Sequence, residues 1–275
     1  MTYEAITVTP SSPHIGAEIG NIDLTRPLSN RQVEEVHEAI IQYGVLFFRD
    51  QKIDFASHDR FVRYFGEPHE HIGGDYTASK RIPGFPGIRK QYFDANSERV
   101  AGEDWHSDQS YAEIPPTFSI LYQEQVPPNG GGDTMFSSAC KAYEELSAGM
   151  KTYLEGKTAT HMGGKSFDKI PNARPAVVHP VVVRHPESGR KLLFVNPNFT
   201  SHINDIPAAE SRFILQFLCE HLARPHWSMR FRWTDHSIAM WDNRCTQHCA
   251  IWDYWPNVRS GYRMFLKGTE RPLAA

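Results

Sequence analysis

The sequence is poor in the features that mark secreted, membrane-spanning and nucleic-acid-binding proteins. Its 4 cysteines in 275 residues have no paired spacing, which argues against a disulfide framework and predicts reduced thiols in the cytoplasm. It lacks an apolar run of about eighteen residues, so we expect no membrane-spanning helix. Its formal net charge of −3 offers no basic surface to a nucleic acid. We therefore expect a cytoplasmic globular protein that binds a small molecule. The sequence is also compatible with a homo-oligomer.

Nucleotide binding is also not indicated. Glycines are clustered at residues 130–132, but this run lacks the Lys and the Ser or Thr of a phosphate-binding loop and leads into a strand pattern.

Apolar periodicity predicts a mainly β chain with covering helices. Helical spacing occurs between the capping residue Ser29 and Gly44, and over residues 54–65, 139–155 (split near 147) and 207–223. Strand patterns cover residues 15–19, 45–48, 88–91, 118–122, 135–136, 181–184, 191–195, 229–233, 238–241 and 262–266. Many antiparallel-looking strands in a chain of this length predict one domain over residues 1–275 with a double-stranded β-helix, the jelly roll of cupins.

The periodicity fails over most of residues 68–103, where glycine and proline supply turn chemistry. His69 and His71 stand at the start of this segment. A long irregular segment before a candidate metal site predicts a lid, and a merely mobile loop is the alternative.

Three residues offer the ligands of a metal centre. His106 and Asp108 are two apart, so on a strand their side chains would share a face. His248 lies far downstream, after the strand pattern of residues 238–241. Two imidazoles and one carboxylate are the facial triad of non-haem Fe(II) oxygenases. Cys245 and Cys249 bracket His248, but their spacing is too compressed for a four-ligand zinc site, and we expect buried core cysteines.

Two arginines near the last strand pattern suit an anionic ligand. A keto acid that chelates iron needs a cation to bind its far carboxylate. The planar guanidinium of Arg suits this role because it donates two parallel hydrogen bonds to a carboxylate. Arg259 and Arg263 are four apart, which places them near each other at the end of the chain.

The sequence resembles the taurine and 2,4-dichlorophenoxyacetate dioxygenase family of Fe(II)- and 2-oxoglutarate-dependent enzymes. The similar motifs, in order, are residues 15–17 (IGA), 23–24 (DL), 65–67 (FGE), 104–108 (DWHSD), 131–134 (GGDT), 194–196 (FVN), 241–244 (WDNR) and His248. The resemblance implies that His106, Asp108 and His248 bind iron. It implies that Thr134 and Arg259 bind 2-oxoglutarate, and that the substrate contacts are His71, Arg263 and Phe199.

The resemblance also shows departures that bear on the substrate. Gly74 and Gly102 stand where taurine dioxygenase contacts the amine of taurine, and Gly163 replaces an aromatic pocket residue. We therefore expect a larger sulfonate, a sulfate ester or a carboxylate such as an aryloxyalkanoate. Residues 99–105 (RVAGEDW) also resemble the aryloxypropionate dioxygenases of the same family.

The implied reaction consumes 2-oxoglutarate and O2, releases succinate and CO2, and hydroxylates the substrate. The product fragments where the hydroxylated carbon bears a sulfonate, sulfate or aryloxy group. The alternatives are a hydroxylase or desaturase of an amino acid or natural-product intermediate, a metal hydrolase or other redox-silent metalloenzyme, and a non-catalytic jelly-roll binding protein.

Overall fold

The computed structural model describes residues 2–69, 81–98, 100, 102–163 and 176–275. Its helices are α1 (Asn30–Tyr43), α2 (Phe55–Arg63), α3 (Ala139–Glu144), α4 (Ala148–Leu154) and α5 (Ala208–Leu222). Its strands are β1 (Thr7–Pro10), β2 (Ala17–Gly20), β3 (Val45–Phe48), β4 (Arg81–Ile82), β5 (Phe85–Phe93), β6 (Phe118–Gln125), β7 (Thr134–Ser138), β8 (Thr158–His161), β9 (Val177–Pro180), β10 (Val182–Arg184), β11 (Lys191–Leu193), β12 (Thr200–Ile203), β13 (Ser228–Phe231), β14 (Ser237–Asp242), β15 (Thr246–Ala250) and β16 (Arg259–Phe265). The fold is mostly β with few helices.

A large sheet with the strand order β1-β2-β3-β14-β6-β16-β5-β4 forms the centre of the molecule. β3 and β14 are buried along their whole length, which explains why residues 45–48 form an uninterrupted apolar run. β14 pairs antiparallel with β3 and β6, and β16 pairs antiparallel with β6 and β5. The sheet therefore places residues from distant parts of the chain side by side.

Helices α1 and α2 cover one face of the large sheet. Ser29 accepts a hydrogen bond from the backbone N–H of Gln32, and the Gln32 side chain bonds back to the Ser29 backbone, so the predicted capping box is confirmed. α1 ends at Gly44, whose φ of 72° is a left-handed conformation that glycine adopts at little cost. Ile40 of α1 and Phe61 of α2 are buried in the core beneath them.

A smaller sheet with the order β13-β7-β15 packs on the other face. Alternate residues of β3 and β14 belong to the two different cores, as the pleat of a strand requires. Phe47 of β3 stacks on Phe231 of β13 with ring centroids 3.8 Å apart. Phe136 of β7 meets Trp241 of β14 at 5.7 Å. This packing holds β15, which carries His248, against the large sheet.

The remaining elements form a third packed region. β12, β8 and β9 make a sheet in that order, and β10 and β11 form the predicted hairpin. α3, α4 and α5 contribute to the core of this region, where Leu154 and Leu218 are fully buried. The predicted break near residue 147 is confirmed, because α3 ends at Glu144 and Ser147 caps α4.

Several sequence predictions need correction. The strands β1, β4, β8, β9, β12 and β15 are not predicted, because short strands such as TATH, TSHI and TQHCA lack clear apolar alternation. β5 runs over nine residues within the segment predicted to be mostly irregular, since Pro86 and Gly87 disguise it. β13 ends at Phe231 and not at Trp233. The lid prediction remains untested, and residues 70–80, 99 and 101 of that segment lie outside the described residues.

The cysteine and membrane predictions can be compared with the described chain. Cys140, Cys219, Cys245 and Cys249 are free thiols. Cys245 is buried as expected, but Cys249 is only half-buried, and its sulfur donates to the carbonyl of Glu103 at 2.7 Å. In the parts of the chain that the structure covers, no helix is both long and apolar enough to cross a membrane.

Candidate metal and cosubstrate site

His106 and His248 face each other across a short antiparallel bridge. The backbone N–H of each donates to the carbonyl of the other, at 3.0 and 2.9 Å. Asp108 lies in a turn after His106 and not on a strand, so the expectation of a shared strand face is wrong. The turn, in which Gln109 has a φ of 50°, brings the carboxylate to the imidazoles instead.

The structure brings the three predicted ligands together. Oδ1 of Asp108 lies 3.6 Å from Nε2 of His106 and 3.8 Å from Nε2 of His248. The two imidazole centroids are 4.1 Å apart, and all three side chains are buried. One ligand atom from each residue lies within 4.8 Å of the others, which is close enough for a single ion.

Hydrogen bonds orient these ligands. Nδ1 of His106 lies 2.8 Å from the carbonyl oxygen of Asp104, an acceptor that places the proton on Nδ1 and leaves the Nε2 lone pair for a metal. Ser119 donates its hydroxyl to Oδ2 of Asp108 at 2.7 Å, and Asn243 donates its amide to Ser119 at 2.9 Å. Oδ1 accepts no hydrogen bond from a described residue, so this oxygen is the one presented to a metal.

The local electrostatics hold the ligands in their metal-binding protonation states. Burial alone would raise the pKa of Asp108, but Arg263 and the neighbouring imidazoles hold it well below the usual range. Burial lowers the pKa of His248 well below its ordinary value, and His106 and Arg263 lower it further. At neutral pH the group therefore contains an ionised carboxylate and a neutral His248 imidazole. This donor set fits Fe(II) better than a structural zinc, whose sites are closed and usually richer in sulfur.

Arg263 lies at the edge of the three ligands. Its Nη2 donates to Oδ2 of Asp108 in a very short contact and lies 3.3 Å from Nε2 of His248. The guanidinium carbon sits 4.8 Å above the Trp241 ring and 4.7 Å from the centroid of Phe265. Its Nε has no hydrogen-bond partner among the described residues. A cation with an unpaired N–H donor thus borders the candidate metal position.

Thr134 and Arg259 are connected through Trp233. The indole N–H of Trp233 donates to Oγ1 of Thr134 at 3.0 Å, and the Arg259 guanidinium lies 5.8 Å from the Trp233 ring centroid. Arg259 is buried, and its Nε donates to the carbonyl of Gly132 at 3.1 Å. Burial lowers the pKa of Arg259 to about 10. The hydroxyl of Tyr254, also buried, has no hydrogen-bond partner among the described residues.

Of the predicted substrate contacts, the structure describes Phe199 as well as Arg263. Phe199 packs edge-on against His106 with centroids 5.9 Å apart and against Tyr111 at 4.9 Å. A Cβ on Gly102, where φ is 88°, would lie 2.9 Å from Cε1 of His106, so a side chain there would press on this ligand. His71 and Gly74 lie outside the described residues.

Sequence reasoning missed the residues that support the ligands. Ser119 lies in β6 and reads as an ordinary strand residue, while Asn243 belongs to the WDNR motif, which could have singled it out. Gln123, which contacts Arg259, carries no local signal because its contact depends on the pairing of β6 with β16.

A second buried group of potential ligands contains none of these residues, although two of its members lie just before His248 in the chain. His185, Asp242 and Cys245 each offer one ligand atom within 4.8 Å of the others. Nε2 of His185 donates to Oδ2 of Asp242 at 3.0 Å, and Arg244 bonds to both oxygens of that carboxylate. Nδ1 of His185 accepts two backbone N–H groups.

Known proteins resemble this chain along most of its length. The family model described as "Taurine catabolism dioxygenase TauD, TfdA family" matches residues 7–265. A putative alpha-ketoglutarate-dependent sulfonate dioxygenase of Schizosaccharomyces pombe is 32% identical over 92% of this chain and 67% of its own length. An alpha-ketoglutarate-dependent sulfate ester dioxygenase of Pseudomonas putida is 30% identical over 96% of this chain and 90% of its own length.

The fold has a close counterpart among solved structures. The crystal structure of a putative alpha-ketoglutarate-dependent taurine dioxygenase from Burkholderia xenovorans superposes with a TM-score of 0.86 and 35% identity. The match covers 98% of this chain and 91% of that one.

Proposed function

The chain belongs to the TauD, TfdA family of dioxygenases, and on this premise we propose that it oxidises a small organic anion held by Arg263. The family and its relatives make it an alpha-ketoglutarate-dependent dioxygenase that uses Fe(II), 2-oxoglutarate and O2. The substrate classes that we propose are a sulfonate, a sulfate ester or a carboxylate. The observation that carries this proposal is that Arg263, at the edge of the metal ligands, has an N–H group without a hydrogen-bond partner among the described residues.

In the proposed mechanism His106, Asp108 and His248 would hold the iron. Bound Fe(II) would supply the oxidising chemistry, in which O2 is consumed and 2-oxoglutarate is decarboxylated to succinate. The neighbouring residues hold Asp108 in place, since Ser119 engages Oδ2 and leaves Oδ1 for the metal. Thr134 and the buried Arg259 bind the far carboxylate of 2-oxoglutarate, because a desolvated guanidinium attracts an anion strongly.

Arg263 and Phe199 position the substrate in this proposal. The Asp108 carboxylate and the two aromatic rings beside Arg263 restrict the guanidinium, so an anion bound to it would lie next to the metal position. Phe199 packs on His106 and supplies an apolar wall. His71 completes the anion contact in the resemblance-based prediction. Gly102 bears no side chain over His106, which favours a substrate bulkier than taurine.

We propose the double-stranded β-helix as the fold, on the basis of two facing sheets, one of which carries His248 on β15. The large sheet and the β13-β7-β15 sheet share one apolar core. The single domain over residues 1–275, the cytoplasmic location and the homo-oligomer stay predictions.

The test is substrate-stimulated succinate formation, screened over sulfonates, sulfate esters, aryloxyalkanoates and amino acids. We expect stimulation by at least one class of anion and a rise of roughly 10- to 100-fold in its KM on Arg263→Gln, the loss of one charged hydrogen-bonding group. The KM for 2-oxoglutarate should change much less. Arg212→Gln, which alters an exposed arginine of α5, is the control and should change neither KM.

The results would distinguish the alternatives. Stimulation by neutral amino acids alone, or an equal rise of both KM values in Arg263→Gln, would overturn the assignment of Arg263 to the substrate. Absence of succinate formation with every class would favour a redox-silent role.

A further inference from the structure

The buried Arg259 guanidinium is surrounded by neutral acceptors. Its Nε donates to the Gly132 carbonyl at 3.1 Å. Its Nη1 and Nη2 both donate to the side-chain oxygen of Gln123, each at 2.9 Å. These contacts use three of the five N–H groups of an arginine, and the other two, one on each Nη, have no acceptor within the described ranges. No carboxylate of a described residue forms an ion pair with it.

The orientation of the Gln123 amide follows from its two sets of neighbours. With the oxygen toward Arg259, the nitrogen donates to the carbonyl of Ser260 at 3.0 Å, and both ends are satisfied. The opposite orientation would direct the amide N–H groups at a guanidinium. The amide therefore presents its acceptor to Arg259.

The strands provide space for this contact. Gln123 of β6 is opposite Gly261 of β16, and it is fully buried. A Cβ on Gly261 would lie 2.8 Å from an atom of the Gln123 amide. Any side chain in place of Gly261 would push the Gln123 amide away. The glycine therefore allows Gln123 to reach Arg259, which lies two residues before Gly261 on β16.

Asp133, a carboxylate that interacts with Arg259 at long range, is held by another arginine. Asp133, next to Thr134 in the chain, accepts a hydrogen bond from Nε of Arg230 at 2.5 Å, and Arg230 also contacts Asp253 at 3.2 Å. The guanidinium of Arg259 thus has no ion-pair partner among the acidic side chains that the structure describes.

We propose that Gln123 is a positioning residue for 2-oxoglutarate, which orients Arg259 and, because it is neutral, leaves the guanidinium charge available for the far carboxylate of the keto acid. This inference rests on the proposed role of Arg259 in binding 2-oxoglutarate. A carboxylate in the place of the amide would form an ion pair with Arg259 in a low-dielectric interior, where such pairing is strong. It would then compete with the cosubstrate and repel it.

The test compares Gln123→Glu, which keeps the shape and adds a negative charge, with Gln123→Leu, which removes the acceptor without adding charge. Gln125→Glu is the matched control, because it places the same charge at an exposed position two residues along β6. Mn(II)-loaded protein is titrated anaerobically with 2-oxoglutarate by calorimetry, and the melting temperature of each metal-loaded variant is measured without 2-oxoglutarate.

We expect Gln123→Glu to weaken 2-oxoglutarate binding by at least about 30-fold, from the loss of an uncompensated charge, while its melting temperature without 2-oxoglutarate stays at or above that of the wild type. Gln123→Leu should weaken binding by about 10-fold or less, and Gln125→Glu should bind normally. In turnover, KM for 2-oxoglutarate should rise in Gln123→Glu while kcat at saturation is retained.

The possible failures are separable. If the wild type does not bind 2-oxoglutarate, or Arg259→Met binds it normally, the proposed role of Arg259 fails. If the wild type binds it and Gln123→Glu binds it equally well, only the present inference is overturned. Equal losses in Gln123→Glu and Gln123→Leu, with lowered melting temperatures in both, would show a merely structural role and would also overturn it.

Discussion

Two buried groups in this protein each combine a histidine and an aspartate with a third potential metal ligand, and they differ in how their carboxylates are hydrogen-bonded. One group is His106, Asp108 and His248, and the other is His185, Asp242 and Cys245. Both have their potential ligand atoms within 4.8 Å of one another. Proximity therefore does not distinguish them.

The difference lies in the hydrogen bonds of the two carboxylates. Asp242 is saturated: Oδ1 accepts from the backbone and Nε of Arg244, and Oδ2 accepts from Nη2 of Arg244 and from His185. Asp108 has its donors, Ser119 and Arg263, on Oδ2 alone. A carboxylate with one oxygen engaged and the other facing two imidazoles can bind a cation, whereas a saturated one stabilises the fold.

The surroundings of Asp242 continue this structural role. Arg244 also contacts Glu187 at 2.6 Å, and Glu187 contacts His37 at 2.5 Å. Burial alone would raise the pKa of Asp242, but Arg244 holds it far below the usual range. The network ties the turn before β15 to the β10–β11 hairpin and to α1, so it fixes the strand that carries His248.

The largest expected difference between the two groups is in the number of metal ions bound per chain. Asp108→Ala should lose Co(II) binding and turnover, because it removes the ligand oxygen that faces both imidazoles. Asp242→Asn should retain one Co(II) per chain, since Asn keeps the shape of the side chain and Asp242 provides no ligand to this ion. Co(II) absorption titration on folded protein measures both. Binding of two ions by the wild type, or loss of the ion in Asp242→Asn, would contradict the assignment.

The same pair should behave in the opposite way when stability is measured. Asp242→Ala should lower the free energy of unfolding by about 3 to 5 kcal/mol, because it removes four hydrogen bonds and leaves Arg244 with Glu187 as its carboxylate partner. Asp108→Ala also leaves an arginine, Arg263, without its carboxylate, but it removes two hydrogen bonds and not four, so its cost in metal-free protein should be smaller. Urea denaturation in a chelating buffer gives both values. Equal losses would mean that the two carboxylates have the same structural role.

Part of this contrast could be predicted from the sequence. His106, Asp108 and His248 stand in spaced motifs, and apolar runs such as residues 45–48 predict neighbouring strands of the large sheet. The orientation of each carboxylate could not be predicted, because Ser119 reaches Asp108 and His185 reaches Asp242 only in the folded chain. Short strands such as β8 and β12 could not be predicted because their residues lack apolar alternation. Gln123 illustrates the same limit, because its partner Arg259 lies on a neighbouring strand.

A buried histidine outside both groups, His58, has the smallest of these expected effects, and its effect depends on pH. His58 of α2 is buried and has no partner for either ring nitrogen among the described residues, and burial lowers its pKa to about 4. Unfolded histidine has a pKa of about 6.5, so as the pH falls from 6.5 to 4 the unfolded state binds a proton that the folded state does not, and stability falls. At pH 5 the loss of unfolding free energy should be about 2 kcal/mol.

His58→Leu should remove this pH-dependent loss. In denaturation experiments, the stability of the variant relative to the wild type should therefore rise by about 2 kcal/mol between pH 7.5 and pH 5. His202→Gln, at an exposed position, should follow the wild-type curve; parallel curves for His58→Leu and the wild type would show that His58 takes up a proton in the folded protein as easily as in the unfolded chain.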